Sequence, residues 1–232
     1  MASESDEPPE EVHHYTSRAE VPWDIQGIFS KYDEGIWLTD DAWFGVTPEP
    51  VATKIAQHVA ESAPKKKVIL IDVFAGAGGN TIAFAQSNRW RRIYAIEKNP
   101  AVLQCAKHNA KVYGVEDKIT WFLGDCFELL QNQLKELGPH SVVFGSPPWG
   151  GPGYRSDHIF NLSTMEPYSL NSLHKEFSRF TKDVVLFLPR SSDLRQLAAI
   201  VEAGKKALVM HYCMEGASKA LCIYSGDFKL PE

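Results

Sequence analysis

A chain of 232 residues that is 44% hydrophobic and 11% aromatic buries one sizeable core, and its length favours one domain or a domain with a small appendage. Of its 29 acids and 24 bases, six acids and one base fall in the first twenty residues, so the net charge of -5 belongs to that segment and the rest of the chain is neutral. A neutral body argues for a short, local contact with any nucleic acid, which a cap, a nucleotide or a single flipped base fits better than a long duplex. Cys105, Cys126, Cys213 and Cys222 have neither C-x-x-C spacing nor a histidine pair beside them. No metal site and no disulfide framework are therefore expected. No apolar run approaches the roughly 20 residues that span a bilayer, and a soluble intracellular protein is expected.

Residues 1–20 are acidic, contain Pro8-Pro9 and lack a periodic apolar face, so they are expected to be disordered. Residues 21–63 read as an N-terminal helical appendage. They hold an aromatic-rich stretch from Phe29 to Trp37, and then Thr47-Pro48-Glu49, where threonine caps a helix and proline takes its first position. Val51, Ile55, His58 and Val59 follow on one helical face.

Residues 64–232 form the main domain, in which apolar runs alternate with helical stretches. Strands are predicted at Val68 to Phe74, Arg92 to Ile96, Ile119 to Leu123, Ser141 to Phe144, Val184 to Leu188, Leu208 to Cys213 and Ala220 to Tyr224. Helices are predicted at Asn80 to Gln86, Pro100 to Tyr113, Cys126 to Leu137, Ser169 to Phe180 and Ser192 to Glu202. The alternation implies an α/β fold, a Rossmann-like, doubly wound and mostly parallel sheet of seven strands with ligands at the strands' carboxyl ends. The runs Lys65-Lys66-Lys67 and Arg89-Trp90-Arg91-Arg92 fall in loops at the opposite, amino ends and read as solvated edges or at most a secondary RNA contact.

Ile71-Asp72-Val73-Phe74-Ala75-Gly76-Ala77-Gly78-Gly79-Asn80 is an acid-tipped strand entering a glycine turn, which lets backbone approach a ligand and points helix N–H groups at it. Thr81 stands where the third glycine of the dinucleotide fingerprint belongs, which argues against nicotinamide and flavin. Glu97 ends the second strand, where it can accept ribose hydroxyls, and Asp125 ends the third, where it can accept an adenine amine. Three acids at successive strand ends suit a ligand with an amino group, a diol and an exocyclic amine but no phosphate. S-adenosylmethionine has that chemistry.

Ser146-Pro147-Pro148-Trp149 follows the apolar run Ser141-Val142-Val143-Phe144-Gly145. It places an aromatic face and carbonyls stiffened by proline at a strand end, the combination that stacks a planar base and accepts hydrogen bonds from its exocyclic amine. Arg190, after Pro189 at another strand end, has the donor fork for phosphate oxygens, and Lys31 is a second phosphate candidate.

Four blocks together resemble the trimethylguanosine synthases, the RNA cap guanosine-N2 methyltransferases: Asp72 to Thr81, Ser146-Pro147-Pro148-Trp149-Gly150-Gly151-Pro152, Phe187-Leu188-Pro189-Arg190, and Phe29 to Ile36. The resemblance runs from about Phe29 to the C-terminus. It implies a class I S-adenosylmethionine-dependent fold and two successive methyl transfers to the N2 amine of an N7-methylguanosine cap on small nuclear and nucleolar RNAs. A monomer is expected, working in the nucleus, the nucleolus included, with the cytoplasm as a further compartment. By motif, Asp72, Phe74, Gly76, Gly78, Asn80, Thr81, Glu97 and Asp125 hold the cofactor. Ser146, Pro147 and Trp149 form the catalytic strip, and Trp149, Arg190, Lys31 and Thr47 hold the substrate. The family carries basic residues before its Phe-Ser motif, whereas this chain reads Trp23-Asp24-Ile25-Gln26-Gly27-Ile28. Two other readings stay open: a methyltransferase of internal adenine N6 or guanine N2 positions, and a catalytically silent binding subunit of the same fold.

Overall fold

Apolar runs bounded by capped helices give this chain two buried faces on one sheet. The computed structural model describes residues 12–13, 27–151, 158–202, 208–214 and 216–229. In chain order its elements are β1 (Val12–His13), β2 (Leu38–Thr39), α1 (Asp40–Gly45), α2 (Glu49–Ser62), β3 (Ile69–Asp72), α3 (Gly79–Gln86), β4 (Arg92–Glu97), α4 (Pro100–Val112), β5 (Ile119–Leu123), α5 (Cys126–Gln131), β6 (Ser141–Gly145), α6 (Leu170–Phe180), β7 (Val184–Pro189), α7 (Leu194–Ala199), β8 (Leu208–Met214) and β9 (Ala217–Ser225).

The main sheet has seven strands in the order β5-β4-β3-β6-β7-β9-β8. From β5 to β7 the pairs are parallel, and β9 runs antiparallel to both β7 and β8. Strand order reverses between β3 and β6, with Asp72 paired to Phe144, so the crevice beyond their carboxyl ends is where such sheets bind ligands. Side chains along the parallel strands alternate between two apolar clusters: Leu70, Val142, Phe144 and Val185 face one layer, and Ile71, Val143, Val184 and Leu186 the other. Burial on both sides explains why these strands read as continuous hydrophobic runs.

The first layer contains α2, α3 and α4, the second α5, α6 and α7. Phe29, Tyr32, Ile36, Leu38, Val51, Ile55 and Val59, from the segment read as an appendage, belong to the same cluster as Leu70 and Ile93. They cover one face of the sheet. Within the stretch read as a disordered tail, Val12–His13 pair antiparallel with Leu38–Thr39; the rest of residues 1–20 lies outside the described residues.

Three local expectations are corrected. Thr47 does not cap α2, which starts at Glu49 with Pro48 in the cap position and no side-chain cap bond; the Thr47 hydroxyl instead accepts from Asn80 at 2.9 Å. Helix α5 stops at Gln131, because Asn132 leaves helical geometry and a 3-10 turn over Lys135–His140 carries Pro139 inside it. Helix α7 is confined to Leu194–Ala199, since Asp193 caps it and the Ser192 hydroxyl bonds back to Pro189 O at 2.6 Å.

Lys67 also departs from the solvated lysine run to which it belongs. Its ammonium is buried, 3.0 Å from Asp183 Oδ2, and donates to Thr181 Oγ1 at 3.0 Å and Gly138 O at 3.3 Å. Lys65 and Lys66 are exposed.

Candidate active site

Strand β3 ends on Asp72, which is 0% exposed. Its Oδ2 accepts from the Thr81 hydroxyl at 2.6 Å and its Oδ1 from Phe74 N at 3.4 Å. Burial pushes this carboxyl up to about 7; the Thr81 and Phe74 hydrogen bonds oppose that rise, and the negative charge of Glu97 adds to it. The turn that follows requires glycine twice, with φ of 54° at Gly76 and 95° at Gly78. A β-carbon at Gly78 would lie 3.3 Å from the Ala106 backbone, so its absence lets α4 pack against the turn. At Gly76 the same β-carbon would enter open space.

Glu97, at the end of β4, is spent partly on shaping this turn. Its Oε2 accepts from Gly76 N at 3.0 Å and its Oε1 from Lys98 N and Asn99 N, both at 2.9 Å. Oε2 keeps a lone pair for a further donor. Asp125 caps α5 through Oδ1, which accepts from Phe127 N at 2.8 Å and Glu128 N at 3.2 Å, while its Oδ2 accepts no hydrogen bond among the described residues.

Two asparagines complete the turn. Asn109, fully buried on α4, donates to Ala77 O and Trp37 O, both at 2.9 Å, and accepts from Trp37 N at 2.8 Å. Asn80 donates to Thr47, but its Oδ1 is buried with no hydrogen-bond partner among the described residues. An unpaired buried acceptor costs about 1–3 kcal/mol, so this one calls for a donor beside the turn.

On the next strand, β6 leads into Ser146-Pro147-Pro148-Trp149. None of the Ser146, Pro147 and Pro148 carbonyls accepts a hydrogen bond among the described residues. Trp149 is half-buried, packed against both apolar clusters, with its ring centroid 5.5 Å from that of Phe187 and its Nε1 donating to Phe187 O at 3.4 Å. Arg190 lies just past the end of β7, exposed, with Nη1 donating to Ser218 O at 3.3 Å.

The structure thus gathers Asp72, Phe74, Gly76, Gly78, Asn80, Thr81, Glu97 and Asp125 at the carboxyl edge, with Thr47 joined to them through Asn80. Ser146, Pro147, Trp149 and Arg190 follow on the neighbouring strand ends. Lys31 is not brought there. Its ammonium pairs with Glu34 at 2.9 Å and donates to Val112 O at 3.2 Å, at the carboxyl end of α4, which lies toward the amino edge of the sheet. Two residues of this edge escape sequence reasoning. Asn109 interrupts the buried stripe Cys105, Ala106, Asn109, Ala110 of α4, and a polar residue on an apolar helix face is the available signal. Tyr168 packs between Phe74 and Phe127, with ring centroids 6.1 and 5.1 Å away; burial and the nearby Asp125 raise its hydroxyl pKa. No spacing in the sequence announces it.

A family model described as RNA cap guanine-N2 methyltransferase matches residues 67–228. A trimethylguanosine synthase of Schizosaccharomyces pombe is 38% identical over 198 residues, covering 85% of this chain and 81% of the relative. Its counterpart in Saccharomyces cerevisiae is 39% identical over 173 residues, covering 74% of this chain and 54% of the relative, so the chain spans about half that protein's length. Among solved structures, a putative methyltransferase from Porphyromonas gingivalis W83 superposes with a TM-score of 0.65 at 16% identity, covering 87% of this chain and 46% of the other. A putative RNA methyltransferase from Pyrococcus horikoshii superposes at 0.53 and 13% identity, covering 81% and 89%. At those identities the structures speak to the fold, which is that of the class I methyltransferases.

Proposed function

This chain belongs to the RNA cap guanine-N2 methyltransferase family and acts with S-adenosylmethionine on the cap guanine N2, and from that premise we propose which residues do the work and on which RNAs. The substrates are the N7-methylguanosine caps of small nuclear and nucleolar RNAs, the product is 2,2,7-trimethylguanosine, and the enzyme works in the nucleus as a monomer. One observation carries the reading: carbonyls at Ser146 and Pro147 that accept no hydrogen bond among the described residues, followed by the Trp149 indole, continue from the strand next to the one that ends in Asp72.

The residues at the turn fit the cofactor. Asn80 Oδ1, without a hydrogen-bond partner among the described residues, and the Asp72 carboxylate would hold its amino group, Glu97 Oε2 and Asp125 Oδ2 would hold a ribose hydroxyl and the adenine amine, and the open space beside Gly76 would leave room for it. When bound, it supplies a methyl group on a sulfonium. The protein's contribution is to place the acceptor amine in line with that group.

Trp149 stacks on the cap guanine, whose N7 methylation makes it cationic, and a cation over an indole gains about 0.5–2 kcal/mol. The Ser146 and Pro147 carbonyls accept the N2 hydrogens, which orients the amine lone pair toward the methyl. Arg190 offers its remaining N–H groups to the triphosphate. The proton lost after transfer leaves to water, so no dedicated base is needed. Incubating the chain with N7-methylguanosine diphosphate and cofactor, then weighing the product, tests this: gains of one and then two methyl groups on N2 are expected, and methylation of uncapped RNA in preference to the cap would overturn it.

A further inference from the structure

Six cations gather at the amino edge of the sheet, opposite the cap site. Lys65 and Lys66 lie between α2 and β3, Arg89 and Arg91 between α3 and β4, Arg92 opens β4, and Lys118 precedes β5. Hydrogen bonds hold these loops together: Arg91 N donates to Val68 O at 2.8 Å, Arg89 Nη2 to Pro64 O at 3.2 Å, Arg92 Nη1 to Asp117 O at 2.8 Å, and Lys118 Nζ to Asn88 Oδ1 at 2.7 Å. The Arg89 guanidinium also lies 4.9 Å from the centre of the Trp90 ring.

The acids nearest in the chain are Glu61, Glu116 and Asp117, yet none of the six cations forms an ion pair among the described residues. Contacts to helix-end and loop carbonyls account for one donor each of Arg89 and Arg92, leaving most of each fork unspent. Lys65, Lys66 and Arg91 are exposed, with no side-chain hydrogen bond among the described residues. Six like charges held side by side repel one another, and a polyanion whose charges recur along a chain relieves that repulsion.

We propose that this belt binds the phosphate backbone of the capped RNA downstream of its cap, as a second anchoring surface on the face opposite the methyl-transfer site. The inference rests on the cap-RNA reading above. The strands between the two edges are four to six residues long, a span of roughly 13–20 Å, so only RNA extending several nucleotides past the cap reaches the belt. Each phosphate neutralised on a single strand adds about 0.7 to the salt exponent of binding; engaging three makes affinity fall about tenfold for a threefold rise in salt.

The test measures initial rates on a cap dinucleotide and on a long capped single-stranded RNA, for the full chain and for the combined variant Lys65→Glu, Lys66→Glu, Arg91→Glu. The unaltered chain is expected to have a lower KM for the RNA than for the dinucleotide, with the gap closing as salt rises. In the variant the RNA KM climbs about tenfold toward the dinucleotide value while dinucleotide kinetics stay unchanged. Equal KM values in the unaltered chain, or a variant that keeps the gap, would overturn the belt, whether an acidic protein or nothing occupies it. Should charge reversal lower dinucleotide activity, the glutamine version of the same three positions repeats the comparison. If the unaltered chain left the dinucleotide unmethylated, the cap reading would fail by itself. The belt would then be judged by fluorescence polarisation on the same RNA, where an affinity unaltered by the three substitutions rejects it.

Discussion

Thr81 donates its hydroxyl hydrogen to Asp72 Oδ2 across 2.6 Å, from the first turn of α3 to the end of β3, and the carboxyl that accepts it has no exposure to water. Because Asp72 is raised from 3.8 to about 7 on folding, the native state holds a proton that the unfolded chain has lost. Stability therefore rises as pH falls from 7 toward 4, and the penalty is fully present above pH 7. Urea midpoints of the unaltered chain measured against Asp72→Asn at either end of that window check the sign: the difference should favour the unaltered chain more at the acid end.

Binding a cationic amino group at Asp72 requires the ionised carboxyl. S-adenosylhomocysteine affinity is expected to increase as pH rises through 7, with proton release on binding below it, measured by calorimetry in buffers of different ionisation heat. A pH-independent affinity would remove Asp72 from the amino-group contact.

Trp149→Ala is expected to cut kcat/KM on an N7-methylated cap by about tenfold or more, since it removes stacking and the cation–π gain of about 0.5–2 kcal/mol together. Trp149→Phe retains part of the loss. The ratio of rates on N7-methylated and unmethylated caps should shrink in Trp149→Ala, which separates charge recognition from a general loss of packing.

Asn109→Ala strips three hydrogen bonds from Trp37 and Ala77, the one to Ala77 buried and the two to Trp37 partly so. About 2–3 kcal/mol of stability is expected to go with them, and cofactor affinity should weaken because Ala77 loses the donor that fixes the glycine turn. Thermal denaturation and a cofactor titration on the same variant read the two effects.

Asp183→Ala leaves the buried Lys67 ammonium without its carboxylate and is expected to cost about 3–5 kcal/mol in chemical denaturation. Joining it with Lys67→Met should recover much of that loss, as the pair's value lies in mutual compensation. In the unaltered chain the carboxylate is hemmed in by Gly226, where φ is 108° and a β-carbon would fall 2.5 Å from Asp183 Oδ1 and from Lys182 O.

The strands and the carboxyl-edge acids are legible because the central parallel strands β3, β6 and β7 are buried on both faces and read as apolar runs, and because Gly76 and Gly78 mark a turn that few other residues can make. What stays hidden depends on partners distant in sequence. Thr47 reads as a cap because threonine before proline and glutamate is a local signal, yet Asn80, brought in by tertiary packing, claims its hydroxyl. Lys67 reads like its two lysine neighbours until Asp183 meets it inside the protein. Lys31 is poised for phosphate by its place in a motif, and the fold sets it beside Glu34 and the end of α4 instead. The helix exit at Asn132 carries no composition signal, so the sequence extends α5 too far.

The packing of the amino-terminal stretch against the glycine turn bears on how this chain is to be dissected. Val46 would touch a β-carbon at Gly79 at 3.2 Å, Thr47 steadies Asn80, and Trp37 is clamped by the same asparagine that fixes Ala77. A truncation at Lys67, where the family match begins, would strip the hydrophobic cover from half the sheet and unmoor the loop on which donor recognition depends. The minimal catalytic fragment is therefore larger than the matched one, and expression boundaries belong upstream of Phe29.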